Sequence, residues 1–204
     1  MRRLATPACA GLALTLSILS SLSPACAQDH VPRSDQPIRD GGMVIPPYGW
    51  LRYCDGHAED VGCRAGAEGP AYVTLDGARW RQLEAVNAAL RRIRRVEDRS
   101  PAWRDDWRVA ENSGDCEDIA LAGRMRLMAQ GWPAAALRLA TVWTEQRAYH
   151  AVLTIEALRD GRRGTWVLDS RMGRVLPWQR LRSLGYRFAT RQAAQSPGWV
   201  AVAS

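Results

Sequence analysis

Near Gly131 the spacing of apolar residues switches from a period of about 3.6 to a period of about 2, and this switch restricts the fold more than any other feature of the chain. Before it, Trp80, Leu83, Val86, Leu90 and Ile93 recur at steps of three and four, the spacing of one helix face. Asp76 or Thr74 can cap the start of that helix, and Pro101 breaks the pattern. A second helix is expected from about Asp115 to Gln130, with Ile119, Ala122, Met125 and Met128 as its apolar face and Gly131 and Pro133 as its stop. Beyond it, Leu137, Leu139, Thr141 and Trp143 alternate with Arg138, Ala140 and Val142. Tyr149 to Leu158 reads as a strand, with Ala151, Leu153 and Ile155 facing one way. Thr165 to Asp169 and Tyr186 to Ala189 read as two more, and Asp160, Gly161 and Gly164 mark a turn. Helices followed by consecutive hairpin strands imply an α+β domain, with N-terminal helices packed on an antiparallel sheet.

The 204 residues suit one domain with a short extension. Arg2 and Arg3, the uncharged apolar run from Ala8 to Ser20 and the small-x-small triplet Ala25-Cys26-Ala27 form the pattern of a secretory signal peptide, residues 1–27. The apolar run is too short, and too broken by Ser and Pro24, for a membrane anchor. The mature protein is expected to be periplasmic or secreted. Residues 28–72 are expected to form an N-terminal arm, loose from Gln28 to Pro47, and then an irregular, disulfide-stapled segment. Residues 73–204 form the main domain.

All 28 basic residues are Arg, and the net charge is +7. The arginines are spread along the chain among 21 acids, whereas a nucleic-acid-binding surface would cluster them. No nucleic-acid partner is expected. Arg91, Arg92, Arg94 and Arg95 do cluster, on a helix that also has an apolar face, and read as its solvated surface.

Of five cysteines, Cys9 and Cys26 leave with the signal peptide. In an oxidising compartment the three that remain read as one disulfide and one free thiol. Cys54 and Cys63, with Gly56 and Gly62 between them for a tight loop, are the natural pair, which leaves Cys116 free. The same segment, Cys54-x2-His57-x5-Cys63, also offers three ligands for zinc, with no obvious fourth, as in a non-catalytic scaffold module.

The densest chemical signal is Gly114-Asp115-Cys116-Glu117-Asp118, at the start of the second helix. A cysteine there faces the positive end of the helix dipole and unpaired backbone N–H groups, which favour the nucleophilic thiolate and can stabilise an oxyanion. Asp115 and Asp118 also have the spacing of a capping box. Among three histidines, His150 alone falls on a core strand. A hairpin turning near residues 160–164 brings it within a few residues of Asp169, which ends the apolar run Trp166-Val167-Leu168. Cys116, His150 and Asp169 thus supply a nucleophile, a base and a group that orients the base.

These blocks, in this order, resemble the bacterial transglutaminase-like cysteine peptidases: GDCED at 114–118, Tyr-His-Ala-Val-Leu at 149–153 and Trp-Val-Leu-Asp-Ser at 166–170. Residues 83–87 also resemble that family's helix, and Cys54 and Cys63 its paired cysteines. The resemblance implies a papain-like fold and an endopeptidase with a catalytic triad of Cys116, His150 and Asp169. It implies calcium held near the nucleophile by Asp115 and Glu117, and no organic cofactor. It further implies a protein substrate, a cell-surface adhesin, and an inner-membrane regulator. The chain departs from the family at Ile119, where Tyr is usual, at Gly123, where Lys is frequent, and in a short stretch between Trp107 and Gly114. The same triad also serves a transglutaminase or an amidase, which differ in the acceptor or donor.

Overall fold

The structure, a computed structural model, describes residues 36–64, 69–97, 104–194 and 197–203; the expected signal peptide and His30 lie outside them. Alongside a separate two-stranded pair, the described residues build an eight-stranded sheet with helices on both faces. Its long central hairpin is β6 (Tyr149–Arg159) and β7 (Arg162–Leu168), joined at Asp160 and Gly161, both with positive φ. β5 (Leu137–Trp143) lies antiparallel on the other side of β6, with Val142 opposite His150. β9 (Arg187–Gln192) pairs with β5, and β10 (Trp199–Val202) pairs with β9. β8 (Leu176–Pro177) closes the far side against β7. β2 (Val73–Thr74) joins β6 in parallel at Ala157 and Leu158, just past the point opposite which β5 begins.

Residues 40–44, expected to be a loose arm, form an edge strand instead. β1 (Asp40–Val44) pairs with β10 near the C-terminus. Its anchor is electrostatic: the Asp40 carboxylate accepts hydrogen bonds from Arg138 at 2.9 Å and Arg191 at 2.7 Å. The two guanidiniums hold the Asp40 carboxyl below its usual range against the opposing effect of burial. The stapled segment is likewise more regular than expected. It begins with α1 (Tyr48–Gly56), whose Trp50 and Tyr53 are buried.

α2 (Gly77–Leu90) starts at Asp76, whose Oδ1 accepts the Arg79 amide at 2.8 Å, and it buries Trp80, Leu83, Val86 and Leu90. α3 (Cys116–Met128) follows a short parallel pair, β3 (Arg94–Arg95) with β4 (Ser113–Gly114). Both helices pack on one sheet face, against Leu139, Leu153, Ile155 and Trp166. α4 (Trp178–Ser183) covers the other face, where Val142, Val152, Val167 and Ile38 form a second core. The sheet is therefore sandwiched, which is why β5 is buried on both faces although its sequence alternates.

α3 departs from the expected single apolar face. Every residue from Glu117 to Arg124 is buried, whereas Met125 is 38% exposed. The helix runs through the core between the sheet, α2 and the stapled segment, so no side of its first turns faces water. Gly123 sits at the closest approach: a Cβ there would lie 2.9 Å from Leu90 Cδ1. Any side chain at this point would have to displace the end of Leu90. Arg91, Arg92, Arg94 and Arg95 are exposed, as expected, but they lie past the end of α2 instead of on it: Arg91 is its C-terminal cap, and Arg94 and Arg95 form β3.

Candidate active site

β4 delivers the chain to α3 through Gly114, where any Cβ would come within 2.7 Å of the Asp118 Cβ. Asp115 occupies the cap position without a side-chain cap bond. Asp118 ties down the approach instead, its Oδ1 accepting the Arg108 amide at 2.8 Å. Cys116 is the first residue of α3, and the backbone amide of Ala151 donates to its sulfur. The nucleophile candidate therefore meets β6 one residue from His150.

His150 and Asp169 are each 1% exposed, and His150 Nε2 lies 2.7 Å from Asp169 Oδ1. Asp169 stands one residue beyond the end of β7, where the hairpin register carries it toward the start of β6. Its Oδ1 also accepts the Arg171 amide at 2.9 Å, and its Oδ2 the Tyr186 hydroxyl at 2.9 Å. Burial pushes the carboxyl up, but the bonds from His150, Arg171 and Tyr186 outweigh it and hold Asp169 below the ordinary aspartate range. His150 and Asp169 are thus a buried, hydrogen-bonded pair.

The thiol differs from expectation. The Cys116 S–H donates to Glu117 Oε2 at 2.9 Å. Burial, followed by the charge and hydrogen bond of Glu117, raises the thiol well above its usual range and overrides the helix end. Glu117 is itself pushed up to about 8, by burial and by repulsion from Asp115 and Asp105. Asp118 is pushed up to about 6, by burial and by the charge of Asp115.

Asp105 had no signal in the sequence. It lies in the polar stretch before β4 and is held by a 2.8 Å hydrogen bond from Trp107 Nε1 to its Oδ2. Asp105, Asp115 and Glu117 bring one carboxylate oxygen each within 4.8 Å of one another. Three hard, mutually repelling oxygen donors fit a calcium ion, which completes its shell with backbone or water oxygens.

Cys54 and Cys63 are joined in a disulfide, and Cys116 is the free cysteine among the described residues. The bridge consumes two of the three proposed zinc ligands, so that reading falls. His57 stacks on Tyr53 at 4.2 Å between ring centres, and its Nδ1 bonds the Tyr53 carbonyl at 2.9 Å. It is a structural residue of the stapled segment. Tyr186 and Arg171, which complete the shell of Asp169, read in the sequence only as strand and loop residues. Nothing in a local pattern marks a side chain that acts across the sheet end.

Comparison with known proteins agrees with the residue blocks. A sequence profile of the bacterial transglutaminase-like cysteine proteinases matches residues 40–204. Solved structures similar to this chain include Legionella pneumophila LapG at 22% identity and a TM-score of 0.48, covering 60% of this chain and 67% of LapG. The EGTA-treated form matches at 22% identity and 0.48, covering 60% of this chain and 66% of that one. The calcium-bound form matches at 22% identity and 0.49, covering 60% and 67%. The chain thus corresponds to about two thirds of LapG's length. No curated protein sequence matches it. The profile spans most of the chain, from the edge strand β1 through the helix that carries Cys116 and the hairpin that carries His150 to the C-terminus, and the protein belongs to the bacterial transglutaminase-like cysteine proteinase family.

Proposed function

We propose that this cysteine peptidase cleaves a protein substrate outside the cytoplasm through Cys116, His150 and Asp169. The observation that carries the reading is the buried 2.7 Å bond between His150 Nε2 and Asp169 Oδ1, one residue from the amide that touches the Cys116 sulfur. With Nε2–H committed to Asp169, Nδ1 is the basic nitrogen. Nδ1 takes the thiol proton as sulfur attacks the peptide carbonyl, and the backbone N–H groups at the open start of α3 favour the oxyanion. The imidazolium returns that proton to the departing amine, which leaves a thioester on Cys116. His150 then draws a proton from water, hydroxide displaces the sulfur, and the new carboxylic acid leaves. Asp169 keeps the ring in one tautomer and stabilises the imidazolium throughout.

Asp105, Asp115 and Glu117 would hold calcium. The ion would supply positive charge beside Cys116, whose thiol donates to Glu117 Oε2. The signal-peptide pattern of residues 1–27 supports a periplasmic or secreted location, and the family resemblance supports a surface adhesin as substrate and an inner-membrane regulator.

The test is Cys116→Ala in the mature chain. Proteolysis should disappear while the melting temperature stays near wild type. Cleavage at the wild-type rate would overturn the assignment. Product analysis with an added primary amine separates hydrolysis, which leaves free carboxylate, from transfer, which leaves an amide.

A further inference from the structure

The Asp169 carboxylate has two oxygens, and His150 uses one of them. The other, Oδ2, is held by Tyr186 from β9's leading edge, whose hydroxyl lies 2.9 Å away. The Tyr186 oxygen also receives Arg171 Nη1 at 2.8 Å. Arg171 in turn is paired with Glu145, in the loop between β5 and β6, with Nη1 3.1 Å from Oε2. A phenol carries a single proton. Because the Arg171 guanidinium can only donate, it occupies a lone pair of the Tyr186 oxygen, and the phenolic proton is left to point at Asp169. Tyr186 is buried, its ring packed in the core beneath α4, so its hydroxyl cannot turn to bulk water instead. Three loops at one end of the sheet therefore converge on a carboxylate that faces the base.

We propose that Tyr186 and Arg171 are positioning residues of the peptidase: Tyr186 locks the free oxygen of Asp169, and Arg171 fixes the direction of the Tyr186 hydroxyl. This rests on the triad reading above and adds two residues to it. Without the hydroxyl, Asp169 can rotate about its Cβ–Cγ bond, and the imidazole loses the fixed acceptor that defines its tautomer and tilt. A second effect has the same sign. A hydrogen bond to a carboxylate spreads its charge, and Asp169 must stay ionised to stabilise the imidazolium. Tyr186 remains a neutral phenol in this setting, because burial and the adjacent Asp169 charge both oppose its ionisation. Arg171 makes its only side-chain hydrogen bond toward this carboxylate through the Tyr186 hydroxyl, its charge acts on Asp169 from beyond that bond, and its backbone amide, which bonds Asp169 Oδ1, survives any side-chain change.

The experiment uses the calcium-supplied mature protein and a p-nitrophenyl ester of acetylglycine, a small acyl donor that needs no extended recognition. Tyr186→Phe keeps the ring and removes one oxygen. It should lower kcat by about tenfold, the worth of one hydrogen bond to a charged group, and leave KM within about twofold. The ¹H resonance of the His150 Nε2–H, observed with ¹⁵N-labelled histidine, should shift upfield or broaden. Arg171→Ala should cost less than Tyr186→Phe, and the double variant should be no slower than Tyr186→Phe alone, because the two act in series. An unchanged kcat, an unmoved Nε2–H resonance, or additive losses in the double variant would each overturn the proposal. Cys116→Ala, run in parallel, separates the two levels. If that variant hydrolyses the ester at the wild-type rate, the triad reading fails. If it is inactive while Tyr186→Phe is indistinguishable from wild type, only the positioning role fails.

Discussion

Arg124, inside α3, donates to Asp60 of the disulfide-stapled segment at 2.8 Å, and both side chains are almost completely buried. Asp60 also accepts the Tyr53 hydroxyl at 3.0 Å and the Gly62 amide at 2.7 Å. One carboxylate therefore ties α1, the stapled turn and the helix that begins with Cys116. Removing either partner leaves the other charge buried and alone.

Asp60→Ala is accordingly expected to destabilise the protein by about 3–5 kcal/mol. The pH dependence has a definite sign. Burial raises the Asp60 carboxyl, but the Arg124 charge and hydrogen bonds win, and its folded pKa lies below the ordinary value. Its contribution is present above the unfolded pKa of about 3.9 and is lost as pH falls through the folded value. Chemical denaturation of wild type and Asp60→Asn between pH 7 and pH 3 checks this. The gap between them should narrow on acidification, and a constant gap would reject the linkage.

The disulfide joins Cys54 to Cys63 across a sequence separation of 9, beside Asp60. The Cys54→Ser, Cys63→Ser double variant should lose about 2–4 kcal/mol of stability. Alkylation of the non-reduced native protein followed by peptide mapping should mark Cys116 only among residues 28–204. Label on Cys54 or Cys63 would disprove the pairing.

Asp169→Asn tests the orienting role. An amide offers Tyr186 and His150 the wrong mixture of donor and acceptor and can hold the imidazole in the unproductive tautomer. Turnover should fall strongly, on the order of 10⁴-fold by analogy with a serine-protease triad. If Asp169 only terminates β7, the substitution lowers the melting temperature and leaves the rate per folded molecule near wild type. Both quantities must be read on the same samples.

Calcium should raise the melting temperature by relieving repulsion among Asp105, Asp115 and Glu117, and a chelator should reverse the rise. Asp105→Asn should weaken calcium binding measured by calorimetry, because it removes one of the three clustered carboxylates. A melting temperature and activity indifferent to both calcium and chelator would remove the metal from the account.

Local structure and the chemical cast were legible in the residue pattern. The apolar steps at Trp80, Leu83, Val86 and Leu90 are the buried face of α2, and Asp76 is its cap. The Asp160-Gly161 turn sets the β6–β7 hairpin and so the approach of His150 to Asp169. Cysteine parity found the bridge and the free thiol. These features depend on neighbours a few residues apart, where helix and strand periods, caps and turns leave their mark. The remaining features arise from contacts between distant segments. β1 is a strand because β10 and two buried arginines, about 100 to 160 residues away, complete its hydrogen bonds. α3 is buried all round because the sheet, α2 and the stapled segment close on it from different directions. The protonated thiol of Cys116, the place of Asp105 in the acidic cluster and the grip of Tyr186 on Asp169 all depend on distances between segments that no local pattern records. Electrostatic energy depends on separation in space and on the surrounding dielectric, and both are fixed only when the chain has folded.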